Sequence, residues 1–167
     1  ELKRRGQWRR VVRLYIEPQL RRRTQHVDRL YAIMRADDAG LGADLAEDWL
    51  ARFSNMPGES EVEMIDRPIR SNRRDALRAL LANRQRQTLD DERRRNWEAV
   101  ALIVDFDAAR TRLGHAIEPE LLWHLRARIG GRGHHEDGDG SPTFLSVGQI
   151  AWMIAAFRAL WPSAGRP

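Results

Sequence analysis

Apolar residues return at three- and four-residue spacing in run after run, with Pro, Gly and Asp between the runs, which is the pattern of successive amphipathic helices. Trp8, Val12 and Tyr15, flanked by Val11 and Leu14, predict a helix over residues 7–16 with Arg9, Arg10 and Arg13 on its other side. Pro18 does not fit a helix interior, so it is placed in the first turn of a second helix carrying Leu20, Val27, Leu30, Tyr31 and Met34. Leu45, Trp49, Leu50 and Phe53 predict a third, ending at the turn signal Asn55-Met56-Pro57-Gly58. Residues 57–70 mix Pro57, Gly58, Ser60 and Pro68 with charges and show no sustained period, so they are expected to form a long loop and a sub-boundary.

Ser71 is the expected N-cap of a helix bearing Ala76, Leu77, Leu80 and Leu81, and Thr88 with Asp91 imitates a capping box for the next, which buries Trp97, Val100, Ala101 and Val104. Asp105 is read as the cap of a short helix stopped by Gly114, and Pro119 as the first-turn proline of one using Leu121, Leu122, Leu125 and Ile129. After a polar loop over 130–143, expected to be flexible, Ser146 and Gln149 form the best capping box of the chain. It opens a final helix with Ile150, Met153, Ile154, Phe157 and Trp161 on its buried side, stopped by Pro162. No β-type alternation lasts for a whole strand. The expected fold is all-α, about seven to eight helices in one domain or fragment over 1–167. The absence of a central hydrophobic helix suggests a short HEAT-like repeat array, although no period of 30 to 50 residues aligns, and an irregular bundle competes with it.

Five tryptophans, Trp8, Trp49, Trp97, Trp123 and Trp152, sit on separate helical patterns, which reads as aromatic anchoring of stacked helices. Trp8 and Trp161, aromatic residues near the two ends, are the candidate interface residues for a protein partner, a neighbouring domain or a second copy. Trp123 lies off the main stripe of its helix.

Composition narrows the chemistry. The 167 residues include no cysteine, which excludes disulfides, thiolate metal sites and cysteine nucleophiles. No phosphate-cradling glycine motif follows a strand, and His26, His115 and His124 form no recognisable triad in the sequence, so the segment is read as non-catalytic and without a cofactor. Asp105 and Asp107 could in principle work as an acid–base pair, but capping explains Asp105 better. The dense ligand-type run His134, His135, Glu136, Asp137 and Asp139 supplies the metal candidates His134, His135, Asp137 and Asp139. Adjacent histidines in a glycine loop do not easily face one ion, and a mobile solvated loop explains the run better.

The net charge of +5 is unevenly placed: residues 1–35 hold eleven Lys and Arg against Glu1, Glu17 and Asp28. Arg4, Arg5, Arg9, Arg10, Arg13, Arg21, Arg22 and Arg23 are therefore the candidate surface for a polyanion or an acidic partner, and nucleic-acid binding by this face is the alternative function. Twenty-eight of the 29 basic residues are arginine throughout the chain, so a plain solvated basic face is the simpler reading. The apolar run Ile150 to Leu160 is too short to span a bilayer, and no long apolar stretch follows Glu1, so a cytoplasmic piece of a larger protein is expected.

Arg94 to Gly114 (RRNWEAVALIVDFDAARTRLG), then Leu121 to Ile129 and Leu145 to Pro167 (LSVGQIAWMIAAFRALWPSAGRP), resemble the degenerate helical repeats C-terminal to the core of bacterial NACHT-type STAND ATPases. The resemblance rests on an Arg-rich Trp helix leading to an Asp-Phe step, and on a Trp-Pro exit from a Gln-bearing helix. It implies a sensor or scaffold segment of a defence-signalling protein whose ATPase motifs lie elsewhere, and it carries no catalytic residue onto this chain.

Overall fold

A computed structural model describes residues 2–23, 26–36, 40–114, 117–129 and 145–161, without the side chains of residues 2–5. The described residues are all-α, with nine helices and no strand. The chain divides into two compact units, Glu1–Leu80 and Leu81–Pro167. The division falls inside a helix, not in the expected loop at 57–70.

The first unit contains α1 (Leu2–Arg22), α2 (Leu30–Arg35), α3 (Leu41–Arg52), α4 (Gly58–Arg70) and the start of α5 (Arg74–Arg84). Pro18 lies within α1, a correction to the two-helix reading. Its missing N–H leaves the carbonyl of Leu14 without a helical donor, but Leu14 is highly exposed, where water can replace the lost bond. The buried stripe of α1 is Val12, Ile16 and Leu20, whereas Trp8, Val11, Leu14 and Tyr15 are exposed. Tyr15 instead fastens the reversal after α1. Its hydroxyl donates to Asp28 Oδ2, and the Asp28 N–H donates to Gln19 Oε1 at 2.9 Å.

Residues 58–70 form a helix where a loop was expected. Ser60, Met64 and Pro68, with Glu61, Ile65 and Ile69, recur at i and i+4 on the buried side. Three polar residues there, Ser60, Glu61 and Asp66, hide the apolar stripe from a hydropathy pattern. Glu59 and Glu61 in the first turn favour the positive end of the helix dipole. Ser71 consequently closes α4 instead of opening α5. The helices α2, α3 and α4 pack on one another around Leu45, Trp49, Leu50, Met64 and Ile65.

Glu17 joins α1 to α3. Its carboxylate, nearly buried, accepts from Trp49 Nε1 at 3.3 Å and from Arg52 Nη1 and Nη2 at 2.9 and 3.1 Å, with Arg21 at 3.2 Å and Arg13 at 3.5 Å. Burial pushes this carboxyl up, but the hydrogen bonds from Arg52 and Trp49 and the charges of Arg52 and Arg13 outweigh it and hold it below the usual range.

Glu47 shows the opposite balance. Its Oε1 is buried without a hydrogen bond, 3.8 Å from Arg73 Nε, and burial pushes the carboxyl up against the pull of Arg73. A folded-state pKa above the unfolded one means that ionised Glu47 costs stability at neutral pH, a cost that vanishes as the group protonates on acidification. Glu47→Gln is expected to stabilise the unit by a fraction of a kcal/mol at pH 7, roughly the scale of a surface substitution, with no gain near pH 4. Urea unfolding at the two pH values checks the sign.

The second unit is arranged around α6 (Asp91–Val104), followed by α7 (Phe106–Leu113), α8 (Pro119–Ile129) and α9 (Val147–Leu160). Residues 99–104 of α6 are buried on every side, so a central hydrophobic helix does exist. That makes the unit a bundle about α6, with α7 and α8 packed on it and α9 on α8. Asp90 caps α6 by accepting from Arg93 N, in place of Thr88, and Asp105 holds the cap position of α7 without a side-chain bond. Gly114 ends α7 at φ +56°, Pro119 opens α8, and the Ser146–Gln149 capping box is complete. Arg128 of α8 donates to Asn96 Oδ1 of α6 at 2.7 Å, a buried polar link between these helices.

Candidate interaction surface and cavity

The last helix is apolar almost all round, yet Met153 is its only buried residue. Of the expected stripe, Met153 is buried, Ile150 and Phe157 are half-buried, and Ile154 and Trp161 are exposed. Helices of that composition in folded proteins have neighbours on several sides. Here α9 lies against α8, and the two present a ledge of aromatic rings. Trp123 meets Phe157 edge to face at 5.6 Å and Trp161 at 6.2 Å, while Phe157 and Trp161 stack at 5.4 Å. Trp123 and Trp161 remain 50% and 46% exposed, and Ile154 and Leu160 extend the apolar area. Rings held together in this way are preorganised, so a partner would not need to order them.

Guanidinium groups lie against two of the indoles, one of them in the ledge. The Arg126 guanidinium lies 5.0 Å from the Trp123 ring centre, and Arg110 lies 5.6 Å from that of Trp152, which itself meets Phe106 edge to face. Arg158 stands in the last turn of α9, a helix with no acidic residue. The acid of α8 nearest the ledge in sequence, Glu120, is one turn before Trp123 and acts on Arg95. Glu118 is held by Arg95 and Arg94, and its hydrogen bond from Arg95 first of all pulls its carboxyl below the usual range.

No family model, curated protein or solved structure matches this chain.

The N-terminal arginine face looks different in three dimensions from its sequence. Arg9 pairs with Asp44 at 2.6 Å, Arg13 with Asp48 at 3.2 Å, and Arg21 with Glu17. Half of the described arginines proposed for a polyanion thus already face carboxylates. Arg10, Arg22 and Arg23 are exposed, and the side chains of Arg4 and Arg5 lie outside the described residues. Trp8, on the same helix, is 52% exposed. The metal candidates His134, His135, Asp137 and Asp139, and the loop 130–143 that carries them, also lie outside the described residues. Among the described residues no three His, Asp or Glu side chains gather to hold a metal, and no helix is long and apolar enough to cross a membrane.

A cavity of about 530 Å³ opens in the second unit, lined by Leu81, Arg84, Thr88, Leu89, Trp97 and Arg112 among others. Arg84 is 1% exposed, with its guanidinium 5.5 Å from the Trp97 ring centre and Nη1 donating to Gln87 Oε1 at 3.3 Å. The sequence pattern does carry a signal for this residue. Leu77, Leu80 and Arg84 follow one another at three and four residues, placing an arginine on the buried stripe of α5.

Proposed function

We propose that this chain is a non-catalytic helical interaction module that captures an acidic amphipathic helix on the α8–α9 ledge. The observation that carries the reading is the exposure of a nearly all-apolar helix whose aromatic residues are already clustered. Exposed apolar patches with fixed aromatic anchors are characteristic of protein-binding surfaces. The charge of the partner follows from the ledge's own helices: Arg126, over the Trp123 ring, and Arg158 of α9 favour carboxylates opposite them. A second copy docking through the same face would bring arginine against arginine, which argues against self-association there. The resemblance of residues 94–167 to the helical region of NACHT-type STAND proteins supports a setting in a larger sensor or scaffold protein, where the captured helix would be a neighbouring segment or a signalling partner.

Nucleic-acid binding by α1 is the weaker reading, because Asp44, Asp48 and Glu17 already neutralise much of that face.

Fluorescence anisotropy tests the proposal with a labelled amphipathic peptide whose Leu stripe is flanked by Glu, a Lys-flanked twin and a DNA duplex. The Glu peptide is expected to bind, and Trp123→Ser with Phe157→Ser to weaken it at least tenfold, while the helical circular dichroism stays unchanged. Equal binding of the Lys twin, or binding of the duplex alone, sinks the proposal.

A further inference from the structure

We infer that the outer face of α1 is a docking surface for an anionic lipid bilayer, on which the helix lies flat at headgroup depth. The helix carries two apolar stripes. Val12, Ile16 and Leu20 turn inward and are buried, whereas Trp8, Val11, Leu14 and Tyr15 are 52%, 54%, 69% and 49% exposed. Seven residues make nearly two helical turns, so Trp8, Tyr15 and Arg22 fall in one row, with about 10 Å between successive members, and Val11 and Pro18 form the row beside it. The face belongs to the first unit and is separate from the α8–α9 ledge.

The charges of the helix sort by side. Arg9, Arg13 and Arg21 pair with Asp44, Asp48 and Glu17. Arg10, one turn before Leu14, and Arg22 and Arg23 at the helix end are exposed and meet no carboxylate among the described residues. The acid that touches the outer face is Asp28, which accepts the Tyr15 hydroxyl and has Arg29 Nε at 4.0 Å to answer its charge. An apolar and aromatic stripe with a rim of one sign is the composition of helices that lie in a membrane interface. Trp and Tyr favour headgroup level, where an apolar ring body and its polar edge are both satisfied. Guanidinium groups beside them are drawn to anionic headgroups. Pro18 sets the depth. It leaves the Leu14 carbonyl without a helical donor, so that turn settles among hydrated headgroups and not in hydrocarbon. Other occupants fit this face less well. A nucleic acid would answer the arginines but leave Val11 and Leu14 in water, and a second copy would set arginine against arginine. A partner helix is received by a groove, whereas these four exposed side chains come from one helix.

The test is cosedimentation of the intact chain with vesicles of phosphatidylcholine and phosphatidylglycerol in equal parts. The chain is expected to bind them, and to bind phosphatidylcholine alone more weakly by about tenfold or more. Trp8→Ser with Leu14→Ser should weaken binding by about tenfold or more, through lost insertion. Arg10→Gln with Arg22→Gln and Arg23→Gln should do the same through lost charge. All five positions are exposed, so the helical circular dichroism should stay unchanged in both variants. Acyl chains brominated near the headgroup should quench an indole emission component that Trp8→Phe removes and Trp123→Ser leaves in place. No sedimentation with the mixed vesicles, equal binding to phosphatidylcholine alone, full binding by either multiple variant, or quenching that vanishes in Trp123→Ser but persists in Trp8→Phe would each overturn the assignment. Trp123→Ser with Phe157→Ser, which disables the ledge, should bind the mixed vesicles normally, so a failed ledge and a failed lipid surface are separable.

Discussion

Glu17→Ala is expected to destabilise the first unit by about 3 kcal/mol, the lower end of the cost of breaking a buried ion pair. The substitution removes the acceptor shared by Arg52, Arg21, Arg13 and the indole of Trp49. The three guanidinium groups are 34–62% exposed and recover part of their hydration, which keeps the loss below the upper end of that range. Trp49 is 0% exposed and its N–H has no such recourse. Glu17→Gln retains an acceptor oxygen for the indole but no charge, so a smaller loss is expected. Proton linkage supplies an independent check. The folded-state carboxyl lies below its ordinary value of 4.5, so its stabilisation is fully present above that pH and disappears as pH falls through the folded value. Urea midpoints of the parent and Glu17→Ala should therefore converge on acidification below about pH 4.5. A loss under 1 kcal/mol at pH 7, or a pH-independent difference, would show that the carboxylate does not organise this unit.

Leu122→Ala should cost the second unit about 2–5 kcal/mol, the range for a buried leucine that leaves a cavity. Leu122 is 0% exposed on α8, the helix that packs against the central α6. Its neighbour in sequence provides the control. Trp123 is half exposed, and Trp123→Ala is expected to change stability by less than 1 kcal/mol despite removing a far larger side chain. Denaturant unfolding of both variants distinguishes a supporting face from a presenting face on the same helix. A large loss from Trp123→Ala would mean that the aromatic ledge is part of the core and not a surface held for a partner.

Much of this architecture could be read from the residues. The all-α class, the caps at Ser146 and Pro119, the stop at Gly114, and the interior places of Trp49 and Trp97 follow from spacing and local chemistry. Periodicity failed where polar side chains occupy a buried stripe, as in α4, and where a proline is tolerated because its helix turn faces water, as in α1. It also assigned the wrong side of α1 inward: Trp8 and Tyr15 match the stripe as well as Ile16 and Leu20 do, and only tertiary packing chooses between them. The ledge was half legible. Trp123 stood off its stripe and Trp161 stood out as an interface residue, but their meeting through Phe157 depends on the packing of α9 on α8. The cavity left one trace, an arginine in leucine register.

The helix that straddles the two units constrains any attempt to dissect this protein. A cut at 57–70, where composition alone invites one, would sever α4 and separate residues that pack together. A cut at the division itself would split α5, leaving Leu77 and Leu80 on one fragment and Arg84 on the other. Fragments made by limited proteolysis or recombinant truncation should each retain the whole of α5. Overlapping halves that share this segment therefore provide the appropriate pair for asking whether either unit holds its fold without the other.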